Sequence, residues 1–230
     1  MSSHSPRHRI LVFDVNETLL DIESLHPFFA RVFGDAGTIR QWFAELILYS
    51  EALSLSGRYV EFGTLSVAVL RMVAEIRKVP LTSADVEAFV ATMRVLPPHP
   101  EVLETLAKLA DAGFRMVTLT NSTSQAGRAV LDSAGLTRYF DRQFSVDEVK
   151  RFKPDRTVYA HVATALAVEP AQLRLIAAHT WDTLGALAAG WVAALVARPG
   201  NAPLPVGAQP DIVAPDLAAV ADRIIATDIE

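Results

Sequence analysis

Ile10-Leu11-Val12-Phe13-Asp14-Val15-Asn16-Glu17-Thr18 decides how the rest of the chain is read. Four consecutive apolar residues without helical spacing have the character of a strand buried on both faces, as in a parallel sheet. The run stops on a charge, Asp14. In an open α/β sheet ligands bind beyond the carboxyl ends of the strands, so an aspartate directly after such a strand stands where chemistry is done. A turn or helix-capping aspartate is the structural alternative, and only the company Asp14 keeps can choose between them.

Working outward, the same strand signature returns at Phe114 to Leu119, Leu173 to Ala177 and Trp191 to Val196, each after a segment of helical periodicity. The first such segment, Pro100 to Ala112, ends on Gly113 as its stop signal. Strand and helix alternation of this kind predicts a doubly wound parallel sheet with crossover helices on both faces. Between Asp21 and Leu96 the pattern is different. Phe28, Phe29 and Val32, then Trp42, Phe43, Leu46 and Ile47, then Val67, Leu70 and Val73 recur at helical spacing with no strand among them. That segment reads as a helical insertion closed by Pro97-Pro98-His99-Pro100, where prolines forbid helix continuation. Arg198 to Pro210 reads as a Gly/Pro-rich surface loop, followed by a short strand and a helix from Asp216.

Composition sets the bounds. The chain has 230 residues, 51% of them apolar, long enough for one domain with a large insertion and too apolar for disorder. It contains no cysteine, which excludes disulfides, thiolate metal sites and a cysteine nucleophile, and suits a reducing cytoplasm. A net charge of -5 argues against a nucleic-acid partner, and the basic cluster from Arg7 to Arg9 lies in a polar tail expected to be mobile. The longest uncharged stretch, Thr183 to Ala197, is interrupted by Gly185 and Gly190 and is shorter than the ~20 residues a membrane span needs. No membrane partner is expected. Ile10 to Phe13 is too brief for a secretory signal, and the cytoplasm is the expected location.

Asp14 does not stand alone. Thr18 follows four residues later, Thr120-Asn121 closes the next strand, Lys153-Pro154-Asp155 follows a loop, and Asp182 lies just past another strand end. This ordered set resembles the haloacid dehalogenase superfamily over nearly the whole chain. Motif one is Phe13 to Leu19 with Asp14 as nucleophile, and motif two is Leu119-Thr120-Asn121-Ser122. Motif three is Lys153 with Tyr159 six residues on, and motif four is His179-Thr180-Trp181-Asp182. The resemblance implies an α/β, Rossmann-like doubly wound core formed by residues 1–20 and 99–230, with residues 21–98 as an inserted helical cap.

Charge counting narrows the activity. The superfamily's magnesium-dependent phosphatases resemble one another in a second acid two residues after the nucleophile, where this chain has Asn16. Asparagine has no proton to give a leaving alkoxide. A further phosphatase acid falls on Ala178, leaving only Asp14 and Asp182 as carboxylates for a hard cation, so no metal and no other cofactor is expected. His4, His8, His26, His99 and His161 show no ligand spacing for zinc either. A nucleophilic aspartate without metal or general acid suits a leaving group that departs as an anion, and halide fits.

The sequence therefore looks most like the type II (L-2-haloacid) dehalogenases, whose helical lid is matched by Trp42, Tyr49-Ser50, Tyr59-Val60 and Phe62. That resemblance implies in-line attack of Asp14 on the halogen-bearing carbon of a small 2-haloacid, then hydrolysis of the aspartyl ester. By analogy Lys153 holds the Asp14 carboxylate, Thr18 and Thr120 supply hydroxyl donors, Asn121 with nearby amides binds the substrate carboxylate, and Asp182 positions water. A homodimer is also implied. The chain departs from the family where its lid arginine becomes Phe43, where the aromatic residue after the nucleophile becomes Asn16, and where the motif-four serine and asparagine become Ala177 and His179. Arg40, three residues before Phe43 on one helix, or His179 is the expected substitute for the missing cation. A solvated arginine and a structural histidine are the plainer readings, as a solvated loop residue is for Lys153 and core packing for Trp181 and Phe62. A phosphohydrolase and a catalytically retired binding protein are the rival functions.

Overall fold

The computed structural model describes residues 9–228. Its six strands form one parallel sheet in the order β3-β2-β1-β4-β5-β6. In chain order they are β1 (Ile10–Phe13), β2 (Met116–Thr120), β3 (Arg142–Ser145), β4 (Leu173–Ala177), β5 (Val192–Val196) and β6 (Ile212–Ala214). Chain order reverses at β1, whose neighbours β2 and β4 lead toward opposite edges, so a crevice opens beyond its carboxyl end. β1, β2 and β4 are buried at every residue, which is why they read as mainly apolar runs despite Thr118 and Thr120 in β2 and Arg174 in β4. β3 escaped the sequence reading. It is a short edge strand, Arg-Gln-Phe-Ser, with Arg142 exposed, and edge strands carry charge rather than an apolar run.

Nine helices are described. α5 (Val102–Asp111), α6 (Ser124–Ser133), α7 (Arg156–Leu166), α8 (Thr180–Ala188) and α9 (Leu217–Asp228) accompany the sheet. Between β1 and α5 come α1 (His26–Phe33), α2 (Thr38–Leu55), α3 (Phe62–Ile76) and α4 (Ser83–Met93). These four build an aromatic centre of their own. Trp42 of α2 is fully buried, lies 5.2 Å from the Phe89 ring and 5.8 Å from the Phe29 ring, and donates its indole N–H to the Ser66 carbonyl at 3.1 Å. α4 begins on a capping box in which Thr82 and Asp85 satisfy each other's backbone N–H groups.

The two connections between sheet and helical segment run side by side. Asp21 donates its N–H to the Pro97 carbonyl at 2.8 Å, and His99 donates to the Leu19 carbonyl at 3.0 Å. Arg198, after β5, reaches the turn from behind and donates to the Thr18 carbonyl through Nε and Nη2 at 3.2 and 2.7 Å, while pairing with Glu101 at 2.9 Å. The turn that follows Asp14 is therefore tied on both sides. The N-terminal tail expected to be mobile lies outside the described residues except for Arg9, which pairs with Asp228 of α9 at 2.5 Å.

Candidate active site

Asp14 leaves the end of β1 with its carboxylate buried. Its Oδ1 accepts from the Lys153 ammonium at 2.8 Å and its Oδ2 from the Thr18 hydroxyl at 2.6 Å. The Thr18 oxygen in turn accepts the backbone N–H of Ala178 at 2.9 Å, which commits the hydroxyl proton to Asp14. Lys153 is no solvated loop residue. It is fully buried, and its three N–H donors are spent on Asp14, on Asp182 Oδ2 at 2.6 Å and on the Leu119 carbonyl at 3.1 Å. Asp182, in the first turn of α8 and also fully buried, accepts from the Tyr159 hydroxyl through its other oxygen at 2.6 Å.

Burial alone would raise the Asp14 carboxyl, but Lys153 and then His179 outweigh it and hold it well below the usual carboxylate range. Burial would lower Lys153, yet the two carboxylates raise it above an ordinary lysine. Asp182 is raised, by burial first and by repulsion from Asp14, against the pull of Lys153. One ammonium thus serves two acids and favours Asp14 as the anion.

Over Asp14 lies a small cavity of ≈ 10 Å³, room for about one water, bounded by Asn16, Phe43, Ile47, Phe62, Asn121, His179 and Trp181. Asn121 accepts the Lys153 backbone N–H at 3.1 Å through Oδ1, which leaves its NH₂ as a donor. His179 stands at the start of α8 with its ring between those of Phe43 and Trp181, centroids 5.2 and 5.0 Å away. Its Nε2 is 2.8 Å from Glu17 Oε2. Its Nδ1 lies 3.4 Å from Asp14 Oδ2, is buried, and among the described residues has no other partner.

Glu17 is the functional candidate that the sequence reading missed. It is buried and adopts φ 62°, the left-handed region that a glutamate enters only at a cost of roughly 1–2 kcal/mol. That conformation turns its carboxylate under His179, and Arg40 pairs with its other oxygen. Burial would raise Glu17, but His179 and then Arg40 lower it. Burial would likewise lower His179, yet Asp14 and Glu17 together push it up to about 9. The signal in the sequence was an acid between Val15 and Leu19-Leu20, directly after an interior strand, where an unpaired charge is expensive.

Two expectations need correction. Arg40 does not face the cavity: its guanidinium meets Glu17, Glu23 at 3.2 Å and the Pro199 carbonyl at 3.0 Å, and its side chain is 35% exposed. Its length carries it away from Phe43 to Glu17 in the turn that follows Asp14. Thr120 is not among the residues that bound the cavity: its oxygen accepts the Ser122 N–H at 3.1 Å and closes a local turn, an arrangement that leaves its hydroxyl proton available to donate. His179 stands beside Asp14, its Nδ1 facing the same carboxylate oxygen that the Thr18 hydroxyl reaches. Phe62 and Trp181 bound the cavity, and the Lys153 ammonium lies 5.6 Å from the Trp181 ring centroid.

Among the described residues no helix is long and apolar enough to cross a membrane. Residues 8–190 match the model of a hydrolase family described as haloacid dehalogenase-like hydrolase. The chain is 30% identical over 189 residues to (S)-2-haloacid dehalogenase 1 of Pseudomonas sp. (strain CBS-3), covering 80% of this chain and 82% of that protein. It is 31% identical over 196 residues to the (S)-2-haloacid dehalogenase of Xanthobacter autotrophicus, covering 83% and 75% respectively. The structure of L-2-haloacid dehalogenase from Xanthobacter autotrophicus with chloropropionic acid covalently bound superimposes with a TM-score of 0.86 at 26% identity, covering 96% of this chain and 99% of that one. With the family model matched over residues 8–190 and a fold that superimposes over 96% of the chain, the chain belongs to the haloacid dehalogenase-like hydrolases.

Proposed function

We propose that this protein is a 2-haloacid dehalogenase that works through an aspartyl ester. The observation that carries the reading is Asp14 itself, an anion at the mouth of β1 held by one ammonium and one hydroxyl with a single-water cavity above it. In the first step an Asp14 oxygen attacks C2 of the acid, the carbon–halogen bond breaks, and its electron pair leaves with halide. No proton is needed, which fits an asparagine at position 16. The departing halide faces the aromatic edges and amide N–H groups of the cavity wall, since no Arg40 guanidinium reaches it.

In the second step water attacks the Asp14 carbonyl carbon. The Nδ1 of His179 has the position to take the water's proton, and Glu17 holds the ring and its tautomer through Nε2. Esterification removes the Asp14 charge that helps keep His179 protonated, so the imidazolium sheds its proton to solvent just before a base is required. Collapse breaks the bond between the Asp14 carbonyl carbon and the alkyl oxygen, the 2-hydroxyacid takes a proton, and one oxygen of Asp14 now comes from water. Lys153 serves as the counter-charge between Asp14 and Asp182, the place a divalent cation would need, so we assign no metal to the reaction. The cysteine-free composition supports a reducing cytoplasm as the site of action, and the family resemblance supports a homodimer.

A single turnover of (S)-2-chloropropionate in heavy-oxygen water tests the covalent route. The label is expected on Asp14 before it reaches product, and Asp14→Asn is expected to abolish chloride release with the fold intact. Label that enters the product alone in that first turnover would mean direct attack by water.

A further inference from the structure

The cavity over Asp14 is too small for anything but the reacting atoms, and Phe43, Ile47 and Trp181 wall it off. Two of its lining residues, Asn16 and Phe62, also line a second and much larger space. That cleft, of ≈ 870 Å³, lies between the first turns of α3, the end of α4 and one face of α6. Its walls are mainly apolar, with Val67 from α3, Met93 from α4, and Ala126 and Ala129 from α6. Ala126 and Ala129 are exposed there, so small side chains on α6 keep the space open. A volume of this size falls within the ordinary range of pockets for small-molecule ligands.

We propose that this cleft is an acyl-chain subsite, and that the acids turned over include 2-haloalkanoates whose tail passes Asn16 and Phe62 to lie between α3, α4 and α6. The inference rests on the 2-haloacid reading of Asp14 and names the size class of its substrate. A substituent on C2 longer than a methyl group finds no room beside Asp14. The shared residues mark the way out, and the apolar walls match an alkyl chain in chemistry. Each methylene moved from water into such a cleft strengthens binding by about two- to fourfold, the upper figure for complete burial.

The test is a chain-length series. From (S)-2-bromopropionate to (S)-2-bromohexanoate, three added methylenes should lower KM by roughly 8- to 60-fold. Ala129→Phe fills the cleft from an exposed helix face and should flatten that series while leaving 2-bromopropionate turnover unchanged. A KM that ignores chain length in the parent overturns the subsite, as does an equal loss with both substrates in Ala129→Phe. A flat series together with a changed oligomeric state of Ala129→Phe on size exclusion also overturns it and gives the cleft to a second copy of the chain. Calorimetry with butyrate and octanoate separates this result from failure of the catalytic reading. If no haloacid is processed but octanoate binds tighter than butyrate, and Ala129→Phe abolishes the difference, the subsite stands and the dehalogenase reading falls. Equal affinities remove the subsite.

Discussion

Replacing Glu17 by glutamine changes one atom type in the site and separates the two chemical steps. The Glu17 carboxylate lies 2.8 Å from His179 Nε2 with both side chains almost wholly buried. At an effective dielectric constant of about 20, a unit charge pair at that distance interacts by about 6 kcal/mol, of which Arg40 on the far side of Glu17 cancels a part. Glutamine loses the charge and can turn its NH₂ toward Nε2, which drives the imidazole proton to Nδ1. That tautomer cannot accept a proton from water. Loss of a general base costs about 10²- to 10⁴-fold, and a wrongly held tautomer lies near the upper end of that range. Alkylation of Asp14 does not use this base, so Glu17→Gln should release one equivalent of halide quickly and then stall. Rapid quenching followed by intact mass measurement should find most of the protein carrying the acyl group, whereas the parent carries little. A variant that turns over like the parent, or one that slows with no ester on Asp14, would refute the assignment of base and positioning residue.

Stability should depend on pH through the same histidine. His179 is raised from 6.5 to about 9, so the contribution it makes, about 3 kcal/mol at 1.36 kcal/mol per unit, is fully present below 6.5 and is lost as pH rises through 9. Asp14 and Glu17, both lowered, contribute above the ordinary carboxylate range and lose that contribution on acidification. Thermal unfolding is expected to be latest near pH 5 to 6.5 and progressively earlier toward pH 9, with the alkaline decline missing in His179→Gln; a flat parent profile there contradicts it. Gly185→Ala would place a Cβ 2.5 Å from the Tyr159 hydroxyl and 2.7 Å from Pro154 Cβ. It should cost about 1–3 kcal/mol in denaturant titration and lower kcat by dislodging Tyr159 from Asp182. Halide release should persist under exhaustive chelation, because Lys153 already occupies the gap between Asp14 and Asp182; activity restored only by magnesium would reverse this.

What was legible in the sequence followed from burial. β1, β4 and β5 are runs whose residues are almost all interior, and such strands declare themselves by their apolarity, which in β4 survives one buried arginine, Arg174, paired with Asp211 and Asp228. Residues placed by the backbone directly at strand ends, Asp14 and Asn121 among them, could be found from the strands alone. Lys153 was found through its place in the motif series, while its burial depends on β2, α8 and the Asp14 turn meeting in space. Spacing failed for long side chains. Arg40 and Phe43 share a face of α2, yet helical side chains lean toward the N-terminus and the arginine is long enough to find Glu17. Glu17 itself was hidden because its role depends on one backbone dihedral, φ 62°, which residue type does not announce for a glutamate.

The departures from the family pattern are better understood as one linked change than as several losses. Phe43 cannot meet halide as a guanidinium would, but it stacks on His179. Arg40, on the same helix, neutralises the face of Glu17 that His179 does not touch. Without Glu17 the imidazole would lose its partner at Nε2, and without His179 the left-handed turn at residue 17 would bring a carboxylate into the interior beside Asp14 uncompensated, which is costly. Each of these residues makes another tolerable. Because Phe43 and Arg40 both come from α2, the histidine is held on one side by the sheet and on the other by the helical segment. In the mechanism we propose, the base for ester hydrolysis is therefore complete only while that segment covers Asp14, which is also the arrangement that limits the cavity to a single water.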